Sequence, residues 1–469
     1  RILRRLEPQL RHESGFGGWQ IISPGGATGR LEAVPRLRDV QSRDYEQPTL
    51  LLADEVAGDE EIPANVRAVI TPAVPDLVSH VAVRARNEHV LVASCLENDT
   101  LQSLRQRVGR DVTVRLTPAG DVTWREADSG AGAGAPTRPP RHSAALRSPT
   151  LEPGVFLPAE FSEDAVGGKA LHLAQLEPQL PDWVCMPPMM ALRFGTFESV
   201  LADPANQTVA DRYESLTAQV DAEPDRVLPA IRKTLAELAA PAWLRDAIAQ
   251  TAGEAGLSLR ETWQDLRASI TGVWASKWTD RAYWARRRLG IAHESLHMAV
   301  LIQQVVPADH AFVLHTANPT TGDRDELYGE LVLGLGETLV GNHPGRPLAF
   351  TANKQIPHPS VVSLPSKSIG LYGDGVICRF DSNGEDLAGY AGAGLYDSVL
   401  SPPPREHRLD YAQQPIMWDR DHRQRLLTAL TELGRWVEQV MGSPQDIEGA
   451  VYQDKIHLLQ TRPQVGLSP

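Results

Sequence analysis

Between Asp128 and Leu151 the sequence loses the means to build a core. The run Ser129-Gly130-Ala131-Gly132-Ala133-Gly134-Ala135-Pro136, followed by Arg138-Pro139-Pro140-Arg141, offers only small side chains, prolines and charge. Glycine and alanine leave such a stretch flexible, and proline stiffens it locally. A chain interrupted in this way is expected to form separate cores on either side. The expected layout is one domain over 1–127, a flexible linker over 128–151 and a larger domain over 152–469. A long surface loop within a single domain is the other reading of the same residues. The length of 469 residues leaves room for two to four domains.

Bulk composition narrows the function classes. Apolar residues at 42% and charged residues at 22% are ordinary for a soluble globular protein. The net charge of −13, with no long basic block, speaks against nucleic acid as a partner. No apolar run reaches membrane-spanning length, so no membrane partner is expected. Cys95, Cys185 and Cys378 are too few and too scattered for a disulfide framework or a zinc site, which fits a reducing compartment. The chain starts Arg1-Ile2-Leu3 and reads as a fragment of a longer polypeptide.

In the first part, short apolar runs such as Thr49–Ala53 and Asp111–Val114 alternate with polar turns, as in a compact α/β domain. Around His80 the pattern is strand (Arg67–Ile70), turn, helix, strand (His89–Ala93), with His80 at the helix start. A helix N-terminus has free N–H groups and the positive end of the dipole, which favour phosphate. An imidazole there, with Arg84 and Arg86 further along, could accept and hold a phosphoryl group. The same residues also read as a helix cap or a core histidine.

The second part carries a further constellation. Gly167-Gly168-Lys169 opens the amphipathic run Ala170–Leu176, where glycines let backbone approach a phosphate and the lysine supplies a point charge. The spacing is not that of a Walker A loop, and a plain turn is the alternative. Apolar spacing of three and four predicts helix across 208–256, and strands are expected at Val300–Leu314 and Glu330–Leu335. Residues Ile447–Thr461 read as a hairpin turning near Asp454-Lys455. Alternation then puts Gln460 and Arg462 on one face, where Glu448 of the partner strand can join them. A carboxylate and an amide oxygen suit Mg²⁺, and Arg462 suits a phosphate.

The stretch Gly58–Cys95, with Ser79-His80-Val81-Ala82-Val83-Arg84-Ala85-Arg86 at its centre, resembles the phosphohistidine domain of the α-glucan water dikinases. These are starch-phosphorylating relatives of phosphoenolpyruvate synthase and pyruvate phosphate dikinase. The resemblance runs from about Gly18 to Gln464, and it implies that His80 is the covalent phospho-intermediate. Ala165–Ala170 resembles the family's nucleotide-binding start, implying that Lys169 contacts ATP phosphates. Val273–Ala282 implies that Arg281 faces those phosphates, although Arg286-Arg287-Arg288 nearby look like a solvated basic face. Glu330–Gly341, containing Glu337, resembles the strand and turn beside the adenine. The Asp446-Ile447-Glu448 and Gln460-Thr461-Arg462-Pro463 motifs imply metal ligation by Glu448 and Gln460 and phosphate binding by Arg462.

Asp381–Tyr396 is close to a signature of the glucan dikinases. Before it, Arg379-Phe380 stands where the family usually has Arg-Ser. This removes a serine contact but leaves Arg379 as a phosphate ligand. Leu91 stands where plastid members often carry the first cysteine of a redox pair, so Cys95 lacks that partner.

The implied fold is multidomain α/β: a swivelling phosphohistidine α/β domain followed by an ATP-grasp-like nucleotide-binding domain. The implied activity is that of an α-glucan, water dikinase. The β-phosphate of ATP passes through His80 to a glucosyl hydroxyl, mainly at C6, and the γ-phosphate goes to water. ATP and a starch-like α-glucan are the expected partners, Mg²⁺ the cofactor, and plastid stroma or starch-granule surface the location. A homodimer is left open. Three alternatives stand beside this. A phosphoenolpyruvate-synthase-type dikinase would need a further barrel domain and a different domain order. Phosphoglucan water dikinase differs only in preferring a prephosphorylated glucan. An inactive glucan-binding scaffold would use Trp274, Trp278 or Trp284 to stack on sugars, where core burial is the competing role.

Overall fold

The computed structural model describes residues 18–464 apart from 59, 73–74, 76–78, 118–120, 128–145, 261, 341–344, 357 and 385–394. Most of the expected linker therefore lies outside the described residues.

The first unit is a seven-stranded sheet. Its strands are β1 (Trp19–Ser23), β2 (Gly26–Arg36), β3 (Asp44–Glu55), β4 (Ala64–Thr71), β5 (Leu91–Cys95), β6 (Asp111–Leu116) and β7 (Val122–Glu126), in the order β1-β5-β4-β3-β2-β6-β7. Strands β2, β3, β4 and β5 are mutually parallel, and β1, β6 and β7 pair antiparallel at the edges. Parallel strands need covered faces, which explains the unbroken run Leu50-Leu51-Leu52-Ala53. Leu50 and Leu52 join one core with Leu101 and Leu104 of the helix Asn98–Arg105. Leu51 and Ala53 join the other, with Val81, Ala82 and Ala85 of the helix His80–Asn87. That helix is the crossover between β4 and β5, so His80 begins it beyond the C-terminal end of a parallel strand. In open α/β sheets, ligands bind at this end.

The second unit is built on two larger antiparallel-rich sheets. One has the order β18-β17-β11-β10-β8: β8 (Val155–Phe156), β10 (Met189–Leu192), β11 (Met298–Gln304), β17 (Val376–Ser382) and β18 (Val399–Ser401). The other has the order β15-β14-β13-β12-β20-β21-β9. It comprises β9 (Val184–Cys185), β12 (His310–His315), β13 (Glu326–Leu333), β14 (Leu348–Asn353), β15 (Ser360–Ser363), β20 (Gln445–Tyr452) and β21 (Lys455–Pro463). A small ribbon pairs β16 (Ile369–Tyr372) with β19 (Arg405–Arg408). The helical expectation for 208–256 corresponds to helices at Gln207–Thr217, Pro224–Leu235 and Ala242–Ala255, which pack on the five-stranded sheet. Trp274 and Trp278 are buried there, and Trp284 is half-buried. Burial removes the first two as sugar-stacking platforms.

One expectation changes form. Val300–Leu314, read as a strand, is two strands in different sheets. Pro307 lies in the break and has no N–H to continue a ladder. The segment Val305–Ala308 thus becomes a crease joining β11 of one sheet to β12 of the other.

Candidate nucleotide and phosphohistidine site

The crease is the floor of a cavity of about 350 Å³ lined by both sheets. Val305, Val306, Ala308, Leu335, Leu371, Ile377 and Ala450 form an apolar cluster in its lining. The lining also includes Lys169, Arg281, Glu337, Arg379, Glu448, Gln460 and Arg462. All seven residues singled out for nucleotide or metal therefore meet in one pocket, although they span nearly three hundred positions of sequence. An apolar cluster beside grouped lysine, arginine and carboxylate side chains has the profile of a nucleotide site.

The hairpin explains part of this convergence. Gln453 and Asp454 both have positive φ, as a two-residue turn matching strand twist requires. The turn sets the register from Tyr452–Lys455 to Gly449–Leu458, and a β-bulge after Gly449 then shifts it by one residue, so that Glu448 lies opposite Gln460 and Asp446 opposite Arg462. Gln460 donates from Nε2 to Glu448 Oε1 at 3.1 Å. Arg379 of β17 reaches across from the other sheet. Its Nη1 lies 3.2 Å from Glu448 Oε2 and 3.0 Å from Gln460 Oε1. A cationic nitrogen held by those two oxygens shows that the pair can receive a cation. Among the described residues no cluster of three or more His, Cys, Asp or Glu could hold a metal. A divalent ion here would take the rest of its shell from water and phosphate.

Each remaining cation has a carboxylate or a ring beside it. Arg462 is paired with Asp446, and Arg281 with Asp397 while also donating to Leu395 O. Burial would push Asp446 up, but Arg462, His315 and Arg86 outweigh it and hold the carboxyl below its usual range. Burial raises Glu337, with Arg379 opposing. The Lys169 ammonium is buried, 3.2 Å from the centroid of the Phe380 ring. Desolvation pushes it well below the ordinary lysine range, although Asp381 opposes this. An anion arriving beside this ammonium would favour its charged form.

The glycine pair works differently from the expectation. The helix Gly168–Leu176 does not offer its N-terminus to a phosphate. Asp381 of β17 already caps it, accepting from the N–H groups of Gly167 (2.9 Å), Lys169 (3.0 Å) and Ala170 (3.3 Å). A Cβ on Gly167 would come within 2.4 Å of Asp381 Oδ1, so glycine is needed for the carboxylate to approach. Only the Lys169 side chain faces the pocket. Asp381 was visible in sequence as the first residue of the Asp381–Tyr396 stretch, but without a role. Residues 385–394 of that stretch lie outside the described residues.

Arg84 and Arg86 also depart from expectation as phosphoryl holders. Two residues apart on a helix, they point to opposite sides and cannot converge on one group. Arg84 is buried, donating to Glu60 O at 2.7 Å and paired with Glu61 at 2.9 Å. Arg86 is buried too, donating to Ile22 O at 3.3 Å. It faces Asp446 and Glu330 of the second unit.

Comparison with known proteins agrees with this geometry. Residues 18–133 match the family model described as α-glucan water dikinase, phosphohistidine-like domain. Residues 258–468 match that of the pyruvate phosphate dikinase AMP/ATP-binding domain. The two together define the class: a phosphohistidine-like domain and a dikinase-type AMP/ATP-binding domain in one chain. The chain is 41% identical over 475 residues to a chloroplastic α-glucan water dikinase of Solanum tuberosum, covering 99% of this chain and 32% of that protein. It is 40% identical to α-glucan water dikinase 1 of Arabidopsis thaliana, covering 99% and 34%. More distantly, it is 29% identical to a rifampicin phosphotransferase of a Streptomyces species, over 65% of this chain and 35% of that protein. The chain belongs with the α-glucan water dikinases, within the pyruvate phosphate dikinase superfamily. It spans about a third of the length of these glucan dikinases. Among the described residues, no helix is long and apolar enough to cross a membrane.

Proposed function

We propose that this chain carries the catalytic machinery of an α-glucan, water dikinase, with 1–127 as the histidine carrier, 128–151 as its tether and 152–469 as the nucleotide-binding unit. One observation carries the reading: seven residues from distant positions line a single cavity that combines an apolar cluster with grouped lysine, arginine and carboxylate side chains. ATP enters with its base between the sheets and its phosphates among Lys169, Arg281, Arg379 and Arg462. Glu448 and Gln460 supply hard oxygen ligands for Mg²⁺, which neutralises phosphate charge when bound. The oxygens fit because they already receive the Arg379 guanidinium.

A nitrogen of the neutral His80 imidazole attacks the β-phosphorus, forming a P–N bond as the bond to AMP oxygen breaks. The γ-phosphoryl is taken by water, leaving orthophosphate. After the carrier moves on its tether, a glucosyl hydroxyl breaks the P–N bond, loses its proton and takes the phosphoryl, mainly at C6. Lysine and arginine charge positions and stabilises the phosphates, while the imidazole is the covalent nucleophile. A plastid location at the starch granule goes with this reading.

The test follows label. ATP labelled at the β-position should deliver label to soluble α-glucan, and ATP labelled at the γ-position should release it as orthophosphate. Label appearing in glucan from the γ-position would overturn the scheme. Plain and prephosphorylated glucan, compared as acceptors, distinguish this activity from that of phosphoglucan water dikinase.

A further inference from the structure

The two units touch through a small set of charged side chains. Arg288 ends the helix Asp280–Arg288 of the nucleotide unit. Its Nη1 lies 3.0 Å from Glu61 Oε2 and donates to Ile62 O at 2.8 Å, and its Nη2 donates to Gln41 O at 2.6 Å. All three acceptors belong to the histidine unit. Glu61 simultaneously pairs with Arg84, on the helix that His80 begins. The three side chains are nearly dry, at 9% exposure for Arg288, 7% for Glu61 and 5% for Arg84. Arg84 lies one turn along the helix that begins at His80. The line Arg288, Glu61, Arg84 thus runs from the nucleotide unit to the helix bearing the carrier.

A second contact supports the same pose. Arg86 lies within electrostatic range of Asp446, the residue paired with Arg462 on the pocket lining. A third joins Arg346 Nη2 to Gln20 Oε1 at 3.5 Å. Together they lay the carrier helix against the Asp446 side of the nucleotide cavity, the side where a phosphoryl group would be collected.

We propose that Arg288 is a positioning residue for phosphoryl loading: it seats the histidine unit on the nucleotide unit through Glu61 and the Gln41 and Ile62 carbonyls, and Glu61 passes that placement to the His80 helix through Arg84. The proposal rests on the dikinase reading above. Arg288 lies outside the cavity lining, so its effect falls on transfer to His80 and not on ATP binding. Arginine suits the role because its planar fork reaches three acceptors from two separate nitrogens; lysine offers a single nitrogen and cannot span them equally.

The experiment measures a single turnover of ATP onto His80 in the full chain at saturating ATP, alongside ATP affinity, for wild type, Arg288→Met and Arg288→Lys. Removing one partner of a desolvated interfacial pair should slow loading of Arg288→Met about 10-fold or more while ATP affinity stays within about 2-fold. Arg288→Lys should fall between. Glu61→Gln, which weakens the same pair from the other side, should slow loading likewise. Loading by Arg288→Met at the wild-type rate would overturn the proposal, as would a loss of ATP affinity matching the loss of rate. Circular dichroism and thermal melting identify a variant that fails to fold, and Arg288→Lys with Glu61→Gln then decide the matter. A wild-type chain that binds ATP but never loads His80 would overturn the dikinase reading itself, and this proposal with it.

Discussion

The cap on the Lys169 helix makes a quantitative prediction. Asp381→Asn keeps the shape of the side chain but turns one acceptor oxygen into a donor. In its best orientation the amide oxygen replaces Oδ2 and keeps the bonds from Gly167 and Ala170. The Lys169 N–H, at 3.0 Å from Oδ1, then meets an NH₂ group. One charge-assisted bond lost in a buried setting costs about 1.5–3 kcal/mol. Loss of a negative charge at the positive end of the helix adds roughly 0.5–1 kcal/mol. The sum is about 2–4 kcal/mol, lost from the nucleotide unit. The Lys169 ammonium also loses its opposing carboxylate, so its charge is harder to keep and ATP binding weakens. Gly167→Ala attacks the same contact from the other side, by driving a methyl group into the carboxylate. Urea unfolding followed by tryptophan fluorescence, with ATP titration in parallel, measures both effects. Stability of Asp381→Asn within about 0.5 kcal/mol of wild type, the ordinary range for an inconsequential surface change, would refute the capping argument.

Three further outcomes are expected. Lys169→Met should weaken ATP binding by about 10-fold or more; unchanged affinity would remove Lys169 from the phosphate site. Burial, with Arg286 nearby, pushes Lys277 down to about 7. Its folded pKa therefore lies below the unfolded value of about 10.4, the unfolded chain binds more protons in between, and stability should rise as pH climbs from about 7 to 10. Unfolding free energies for Lys277→Met should lack that rise. Cys95 is buried and its thiol is pushed up to about 11 by burial, whereas Cys185 is half-buried. Iodoacetamide followed by peptide mapping should therefore label Cys185 in the native protein and leave Cys95 and Cys378 unmodified.

Local signals made some of this legible in sequence. The C-terminal hairpin could be read because alternation and a tight turn are short-range rules, whereas the β-bulge that brings Gln460 rather than Leu459 opposite Glu448 carries no such signal. The strand–helix–strand pattern around His80 is also local, set within some thirty residues. The Asp381 cap was hidden because it joins positions more than two hundred residues apart, and a buried aspartate in a strand has no distinguishing neighbour pattern. Arg288 looked like part of a solvated face for a similar reason: its partners, Glu61 and the Gln41 and Ile62 carbonyls, lie in the other unit. Arg84 and Arg86 misled because proximity in sequence suggested a shared target that helical geometry forbids. The split of Val300–Leu314 was available in Pro307, whose missing N–H marks the crease on which the pocket is built.

The central claim is that His80 takes a phosphoryl group from the nucleotide held in the inter-sheet cavity. Intact-protein mass spectrometry after incubation with ATP, under alkaline conditions that preserve phosphohistidine, tests it most directly. The account predicts one added phosphoryl group, mapping to His80, absent in His80→Ala and strongly reduced in Lys169→Met. A wild-type mass that stays unchanged while AMP accumulates, or an adduct that survives His80→Ala, would contradict it.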